Sequence, residues 1–314
     1  MADEEKAIEA TEAAEAVEAT EAGEATAGPA VAEESVGALR AAIYAVTPSR
    51  VRTAQVLARL AGGGKELKGP SLVMTGDDAM DAALRGVLGE AAGPVGAYQP
   101  EAAALVEGAV AVELPKLPFE TGSLGGAVVS EALEFADNPE KLMEELHRVL
   151  APKSKVVLHV RRRRRSLSGA LRRWTGLVDP TREAKRDGFT PSELFETLKE
   201  GFDVEENVGY GRFFTECAEW LAELFAGLMP QTCEAGALDA ERLRRAGKVY
   251  RAFKPVFALA KALDGLCFFL PTHHWAVRAK RRLLWAPRIA PRLRDGRTLA
   301  DAVLGGKIGT AVGQ

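Results

Sequence analysis

The chain has 314 residues, 47% of them hydrophobic, which is enough apolar material for one sizeable α/β domain. Its 41 basic and 44 acidic residues nearly balance, but the first 36 residues hold eleven acids and one base, which leaves 40 bases against 33 acids elsewhere. A basic body with an acidic tail is therefore predicted, and three cysteines without ligand spacing argue against a zinc-binding or disulfide framework.

Residues 1–35 repeat Glu, Ala and Thr without a hydrophobic face, which predicts an acidic disordered tail with at most partial helix. This terminus lacks an apolar run, and the most apolar later stretch, residues 256–270, contains Lys261 and Asp264. We therefore expect a cytoplasmic protein with no signal peptide, transit peptide or transmembrane segment.

After this tail, residues 36–60 carry an amphipathic pattern that Thr47-Pro48 breaks into two helices, with Ser49 as the expected N-cap. Apolar strand patterns then alternate with helical patterns, which predicts a doubly wound, mostly parallel Rossmann-type sheet. The expected strands lie within residues 71–74, 94–98, 108–114, 125–133, 154–160, 202–211 and 273–280. The expected helices include residues 79–89, 100–108 and 138–150.

Residues 190–193 predict a capping box, because Thr190 precedes a proline and Glu193 follows three residues later. Residues 213–270 predict a helical insertion before the last strand, and its apolar stripes are either core or a dimer face. We therefore divide the chain into a tail (1–35), one α/β domain (36–280) and a basic C-terminal arm (281–314).

The stretch SLVMTGDDAMDAALRG, residues 71–86, has the strand–turn–helix pattern with which nucleotide-binding loops begin. Glycine lets the backbone approach a bound nucleoside, but here Asp77 and Asp78 follow Gly76. An aspartate also caps a helix N-terminus. The turn is therefore either a cofactor site or a capped turn without a ligand.

Residues 117–160 resemble the small type 11 group of class I S-adenosylmethionine-dependent methyltransferases. The resemblance rests on Leu117-Pro118-Phe119, on the pair Leu133-Glu134, and on the turn from Arg148 to Pro152 that leads into a strand. Weaker likeness extends over roughly residues 65–280. The resemblance implies a class I fold, S-adenosylmethionine as the cofactor, and methyl transfer to an acceptor that the sequence does not identify.

The cofactor motifs of this family are eroded in the sequence. The acid expected on strand one falls at the apolar Leu72 or Val73, and Tyr98 stands where an acid would hold the ribose. Glu113 is in place to contact the adenine. The resemblance places the cofactor contacts at Thr75, Gly76, Asp77, Asp78, Tyr98, Gln99, Glu113, Leu114, Ser130 and Glu131. Cofactor binding is accordingly expected to be weak or lost.

The strongest charge feature is arginine-rich and points to an anionic partner, such as nucleic acid or an acidic membrane surface, or to a solvated face. Its residues are Arg161, Arg162, Arg163, Arg164, Arg165, Arg172, Arg173, Arg281 and Arg282. Two functions thus remain open: an active methyltransferase with a divergent pocket, or an inactive scaffold that binds such a partner. A protein complex is also possible. We predict no metal site, because none of the four histidines has a ligand at motif spacing.

Overall fold

The computed structural model of the chain describes residues 29–67, 69–76, 78–89, 92–98, 108–163, 174–175, 184–227 and 240–286. The helices are numbered α1 to α9 in chain order. Their bounds are α1 Pro29–Tyr44, α2 Pro48–Leu60, α3 Asp78–Leu88, α4 Ala132–Phe135, α5 Pro139–Val149, α6 Pro191–Leu198, α7 Phe213–Ala226, α8 Ala240–Ala252 and α9 Lys254–Leu266.

Seven strands form one sheet in the order β3-β2-β1-β4-β5-β7-β6. Their bounds are β1 Ser71–Thr75, β2 Ala92–Ala97, β3 Ala109–Ala111, β4 Leu124–Ser130, β5 Leu150–Arg161, β6 Phe202–Tyr210 and β7 His274–Arg281. The first five strands pair in parallel, and β7 lies antiparallel between β5 and β6. The predicted fold class is therefore confirmed.

Helices cover both faces of the sheet, because its central strands are apolar on both sides. All seven residues of β4 are buried, and Val128 and Val129 point into two different apolar clusters. The cluster around Val129 includes the buried side chains of α5, and the cluster around Val128 includes those of α2 and α3. Burial on both faces is the arrangement that a parallel sheet requires.

The predicted helical insertion consists of α7, α8 and α9 where the structure describes it. Ala222 of α7, Tyr250 of α8 and Phe257 of α9 pack with Ile43 of α1 in a third apolar cluster. The stripe that contains Tyr250, Phe257 and Ala260 thus forms core, which was one of the two alternatives, whereas Leu224 and Phe225 of the α7 stripe are 43% and 68% exposed. The insertion brings α7 over the same face of the sheet as α2.

The seven strand predictions are confirmed, as is the capping box, in which the Thr190 and Glu193 side chains each accept the other's backbone N–H. Helix α1 begins at Pro29, within the predicted tail, and residues 1–28 and the predicted helix at 100–108, except Gly108, lie outside the described residues. The N-cap of α2 is Thr47 rather than Ser49, because Pro48 takes the first helical position. Among the described helices, none is long and apolar enough to cross a bilayer.

Candidate functional site

The site that we predict from the sequence lies at the carboxyl edge of the sheet, beside the β1–β4 pair. The strand order reverses here, since β2 and β3 lie beyond β1 while β5 lies beyond β4. Gly76 directly follows β1, Tyr98 directly follows β2, and Ser130 ends β4. Ligands of open α/β sheets bind in the crevice at such a reversal, so these residues line the expected crevice.

Tyr98 crosses the ends of two strands. A Cβ built on Gly76 would lie 2.8 Å from the Tyr98 hydroxyl and 2.9 Å from two of its ring carbons, so the ring rests directly on this glycine. The hydroxyl donates a 3.0 Å hydrogen bond to the carbonyl oxygen of Ser130, and the ring lies 5.1 Å from that of Phe135, centroid to centroid. The Tyr98 side chain thus spans the opening between the β1 turn and the end of β4.

This placement decides how a nucleoside would fit. Gly76 leaves the backbone bare, as a cofactor turn requires, but the Tyr98 ring fills the space above it. The β1 turn therefore fits a bound nucleoside only after the Tyr98 ring moves aside. The positions of the strand-one acid, Leu72 and Val73, are fully buried in the apolar core, so neither supplies a polar contact.

The remaining predicted cofactor contacts are distributed around the same edge. Thr75 is buried at the end of β1, and Glu113 is exposed after β3. Leu114 is half-buried and precedes a cis peptide bond to Pro115. Asp78 begins α3, but its side chain, like Asp77 and Gln99, lies outside what the structure describes.

A chain of polar contacts runs from Ser130 away from the predicted crevice. The Ser130 Oγ lies 3.0 Å from Nδ1 of His159, whose Nε2 lies 3.2 Å from Nδ1 of His274. The Nε2 of His274 lies 3.3 Å from the Oε1 of Glu216. These four side chains come from β4, β5, β7 and α7. No sequence pattern connects His159, His274 and Glu216 with one another.

Glu131 directly follows Ser130 in the chain and has an uncommon backbone conformation. Its φ of 58° lies in the left-handed region, which costs a non-glycine residue about 1–3 kcal/mol, and such residues concentrate at functional sites. Its side chain is 6% exposed. One carboxylate oxygen of Glu131 and one nitrogen each of His159 and His274 all lie within 4.8 Å of one another.

Helices α2 and α7 close this cluster off from solvent. Glu219 of α7 accepts a 2.6 Å hydrogen bond from the backbone N–H of Ser49 in the first turn of α2. The hydroxyl of Tyr210, at the end of β6, donates to the hydroxyl oxygen of Thr53 at 3.0 Å, and the Tyr210 ring stacks 5.4 Å from that of His274. Burial, opposed by the nearby Glu131 carboxylate, lowers the pKa of His159 to about 3, so its imidazole is neutral.

A second buried carboxyl group lies on α4. Glu134 is fully buried and accepts a 2.5 Å hydrogen bond from the backbone N–H of Arg161, at the end of β5. Burial raises the pKa of Glu134 to about 8, although the nearby Arg161 charge opposes the shift. The guanidinium of Arg161 comes within 4.0 Å of Glu131, which is too long for a hydrogen bond.

The arginines of the predicted anionic surface do not lie on one face where the structure describes them. Arg162 packs over the ring of Trp275, and Arg163 pairs with Glu193 at 2.5 Å. At the opposite edge, Arg281 donates to the carbonyl of His147, and Arg282 donates to those of Lys199, Glu200 and Ala286. Arg164, Arg165, Arg172 and Arg173 lie outside the described residues.

Comparisons with known proteins support the class of the fold. A family model described as a methyltransferase domain matches residues 96–158, which run from β2 into β5. No curated protein sequence matches the chain at a significant level.

Solved structures with a similar shape resemble the chain only distantly. The [4+2]-cyclase SpnF is 16% identical, with 74% of this chain and 81% of that chain covered and a TM-score of 0.46. Geranyl diphosphate C-methyltransferase from Streptomyces coelicolor A3(2) is 11% identical, with 74% and 77% covered and a TM-score of 0.44. A SAM-dependent methyltransferase from Aquifex aeolicus is 17% identical, with 49% and 84% covered and a TM-score of 0.37.

At these values none of the solved structures identifies an acceptor, and the assignment rests on the sheet order and on the sequence match. The sheet has five parallel strands and an antiparallel β7 inserted between β5 and β6. The chain therefore has a class I methyltransferase-like, Rossmann-type fold, and residues 96–158 match the methyltransferase domain model.

Proposed function

We propose that the protein is an S-adenosylmethionine-dependent methyltransferase whose cofactor binds beside the β1–β4 pair once Tyr98 has moved aside. The observation that supports this proposal is the convergence of Gly76, Tyr98 and Ser130 at the point where the strand order reverses. A bare glycine turn at this point is the feature that a bound nucleoside requires.

The chain retains part of the expected set of contacts. In this proposal the bare backbone at Gly76 and the N-terminus of α3, which follow β1, bind the amino-acid end of the cofactor, and Glu113, after β3, binds the adenine. When bound, S-adenosylmethionine supplies a methyl group on a sulfonium ion. The protein's task is then to hold an acceptor in line with that group, and orientation alone contributes much of the rate of such a transfer.

The closed position of Tyr98 is expected to weaken cofactor binding. Opening breaks the hydrogen bond to the Ser130 carbonyl, worth about 0.5–1.5 kcal/mol, and exposes part of a ring that packs against the core. The apparent dissociation constant rises in proportion as the open form becomes rarer. A binding site that is intact but closed therefore appears weak.

The decisive experiment is calorimetric titration of the full-length protein with S-adenosylhomocysteine and S-adenosylmethionine. We expect saturable binding that tightens about tenfold in Tyr98→Ala, because the ring no longer competes for the site, and less in Tyr98→Phe, which loses only the hydroxyl. Gly76→Arg fills the turn and is expected to abolish binding. Absence of binding at millimolar ligand in both the wild type and Tyr98→Ala would refute a cofactor site.

A second candidate function is favoured by the same tyrosine. If the ring never leaves Gly76, the domain is an inactive scaffold, and its partner is proposed to be anionic because the body of the chain is basic. Heparin binding that falls with salt, and falls again when Arg161, Arg162, Arg163, Arg164 and Arg165 are changed to Ser, is expected in that case. Salt-independent binding would exclude this partner.

A further inference from the structure

We propose that Glu131, His159 and His274 form a binding site for a divalent transition-metal ion, with Zn²⁺ as the preferred ion. In the sequence His159 follows Glu131 by 28 positions and His274 follows His159 by 115 positions, so no local motif predicts this site. The sheet brings them together, because β4 and β5 end where β7 begins. This site does not depend on methyl transfer.

The two imidazoles have the separation that a shared metal ion requires. Zn²⁺ binds histidine nitrogens at about 2.0–2.1 Å, which places two nitrogens of a tetrahedral site about 3.3 Å apart. The Nε2 of His159 and the Nδ1 of His274 are 3.2 Å apart. A Glu131 carboxylate oxygen lies within 4.8 Å of one nitrogen of each imidazole, so an adjustment of this side chain can complete three ligands.

The outer nitrogen of each imidazole already has an acceptor. Nδ1 of His159 faces the hydroxyl oxygen of Ser130, and Nε2 of His274 faces a carboxylate oxygen of Glu216. Metal-bound histidines donate their second N–H to such groups, which fixes the tautomer and the orientation of the ring. With the outer N–H of each ring donated in this way, the inner nitrogens, Nε2 of His159 and Nδ1 of His274, are both lone pairs that can bind a metal ion.

The donor set selects the class of ion. Two imidazole nitrogens and one carboxylate suit Zn²⁺, Co²⁺ or Fe²⁺, whereas Mg²⁺ and Ca²⁺ prefer oxygen ligands. Three protein ligands leave a fourth position of a tetrahedral ion for water or another small ligand, as in catalytic rather than structural zinc sites. Burial of Glu131 and His159 shields the ion, and His274 is partly accessible.

A hydrogen-bonded chain without metal is the competing interpretation of the same contacts. In that chain Glu216 accepts from His274, His274 accepts from His159, and His159 accepts from the Ser130 hydroxyl. The two interpretations differ in the tautomer of His159, which carries its proton on Nδ1 in the metal site and on Nε2 in the chain, and only the metal site binds a cation stoichiometrically. The positive charges of Arg161 and Arg50, which both act on His159, oppose a cation, and the guanidinium of Arg161 lies 4.0 Å from Glu131, too far for a hydrogen bond.

The test uses the full-length protein, stripped with a chelator and titrated with ZnCl₂ or CoCl₂ in metal-free buffer. We expect one Zn²⁺ per chain by elemental analysis after gel filtration, a raised Tm, and visible Co²⁺ absorption bands of four-coordinate type. Glu131→Gln and His274→Gln should lose this binding. Glu216→Gln should weaken it about 10–100-fold, as a changed outer partner does.

Two controls separate this site from adventitious binding. His147→Gln removes a histidine that contacts the Arg282 carbonyl on the other edge of the sheet, and it should leave Zn²⁺ uptake unchanged. Replacing Cys217 and Cys267 by Ser should also leave it unchanged, and the Co²⁺ spectrum should lack thiolate bands. Absence of Zn²⁺ uptake by the wild type, equal uptake by His274→Gln, or a thiolate-type spectrum would each overturn the proposal.

Discussion

The contact between Tyr98 and Gly76 can be tested without any ligand. Adding a methyl group in Gly76→Ala places a carbon 2.8–2.9 Å from three atoms of the Tyr98 side chain, much closer than van der Waals contact. Overpacking of this kind costs about 1–3 kcal/mol, whether the ring is strained or driven off its bond to Ser130. Gly76 does not have a positive φ, so no backbone strain adds to this cost.

In a Tyr98→Ala background the three nearest contacts of the same methyl group are removed. The substitution should then be neutral or stabilising by about 0.4–1 kcal/mol, because alanine restricts the unfolded chain more than glycine does. The two substitutions are therefore expected to be coupled by about 1–4 kcal/mol, measured as the free energy of unfolding in urea for the wild type, both single variants and the double variant.

Gly86 of α3 provides a matched control for this cycle. A Cβ on Gly86 meets nothing within 4 Å, so Gly86→Ala should stabilise the protein by about 0.5–1 kcal/mol in both backgrounds. If Gly76→Ala costs the same with and without the Tyr98 ring, the ring does not rest on the turn, and both proposed roles of Tyr98 fail.

Two further substitutions test hydrogen bonds at helix N-termini. Glu219→Ala should destabilise the protein by about 1.5–3 kcal/mol in urea unfolding, because it leaves the buried Ser49 N–H without its carboxylate acceptor. As a control, Glu196→Ala at an exposed position should change the free energy of unfolding by less than about 0.5 kcal/mol, and equal effects of the two substitutions would argue against a stabilising role of the Glu219–Ser49 hydrogen bond. Thr190→Ala should cost about 0.5–2 kcal/mol through the capping box, whereas Thr190→Ser should retain most of the stability, and a large loss in the serine variant would point to the methyl group instead.

The sheet could be predicted because its information is local. Runs such as Val156-Val157-Leu158 are buried on both faces, and their length and flanking turns distinguish them from helices. The capping box at Thr190 is equally local, and it is present. The start of α1 was not predicted, because a Glu- and Ala-rich sequence is compatible both with a solvated tail and with the first turns of a helix whose later residues pack against the core.

The candidate site was predicted only where the family resemblance supplied positions. Gly76, Tyr98 and Ser130 were on that list, but the sequence does not say that the Tyr98 ring rests on Gly76, since this depends on a rotamer. Spacing gave His159 no ligand partner, yet it is buried beside His274, which in turn contacts Glu216. Residues on β5, β7 and α7 become neighbours only through the order of the strands in the sheet, and the spacing of these residues in the sequence does not encode that order.

The position of β7 bears on how the protein is made. In the described sheet β6 pairs only with β7, and β7 is the last of the described strands in sequence order. A ribosome releases β6 and the described insertion helices before the strand that joins them to β5 exists. The nascent chain therefore holds Tyr210 and Glu216 before His274 has been made, and the buried polar cluster closes only after β7 has been synthesised.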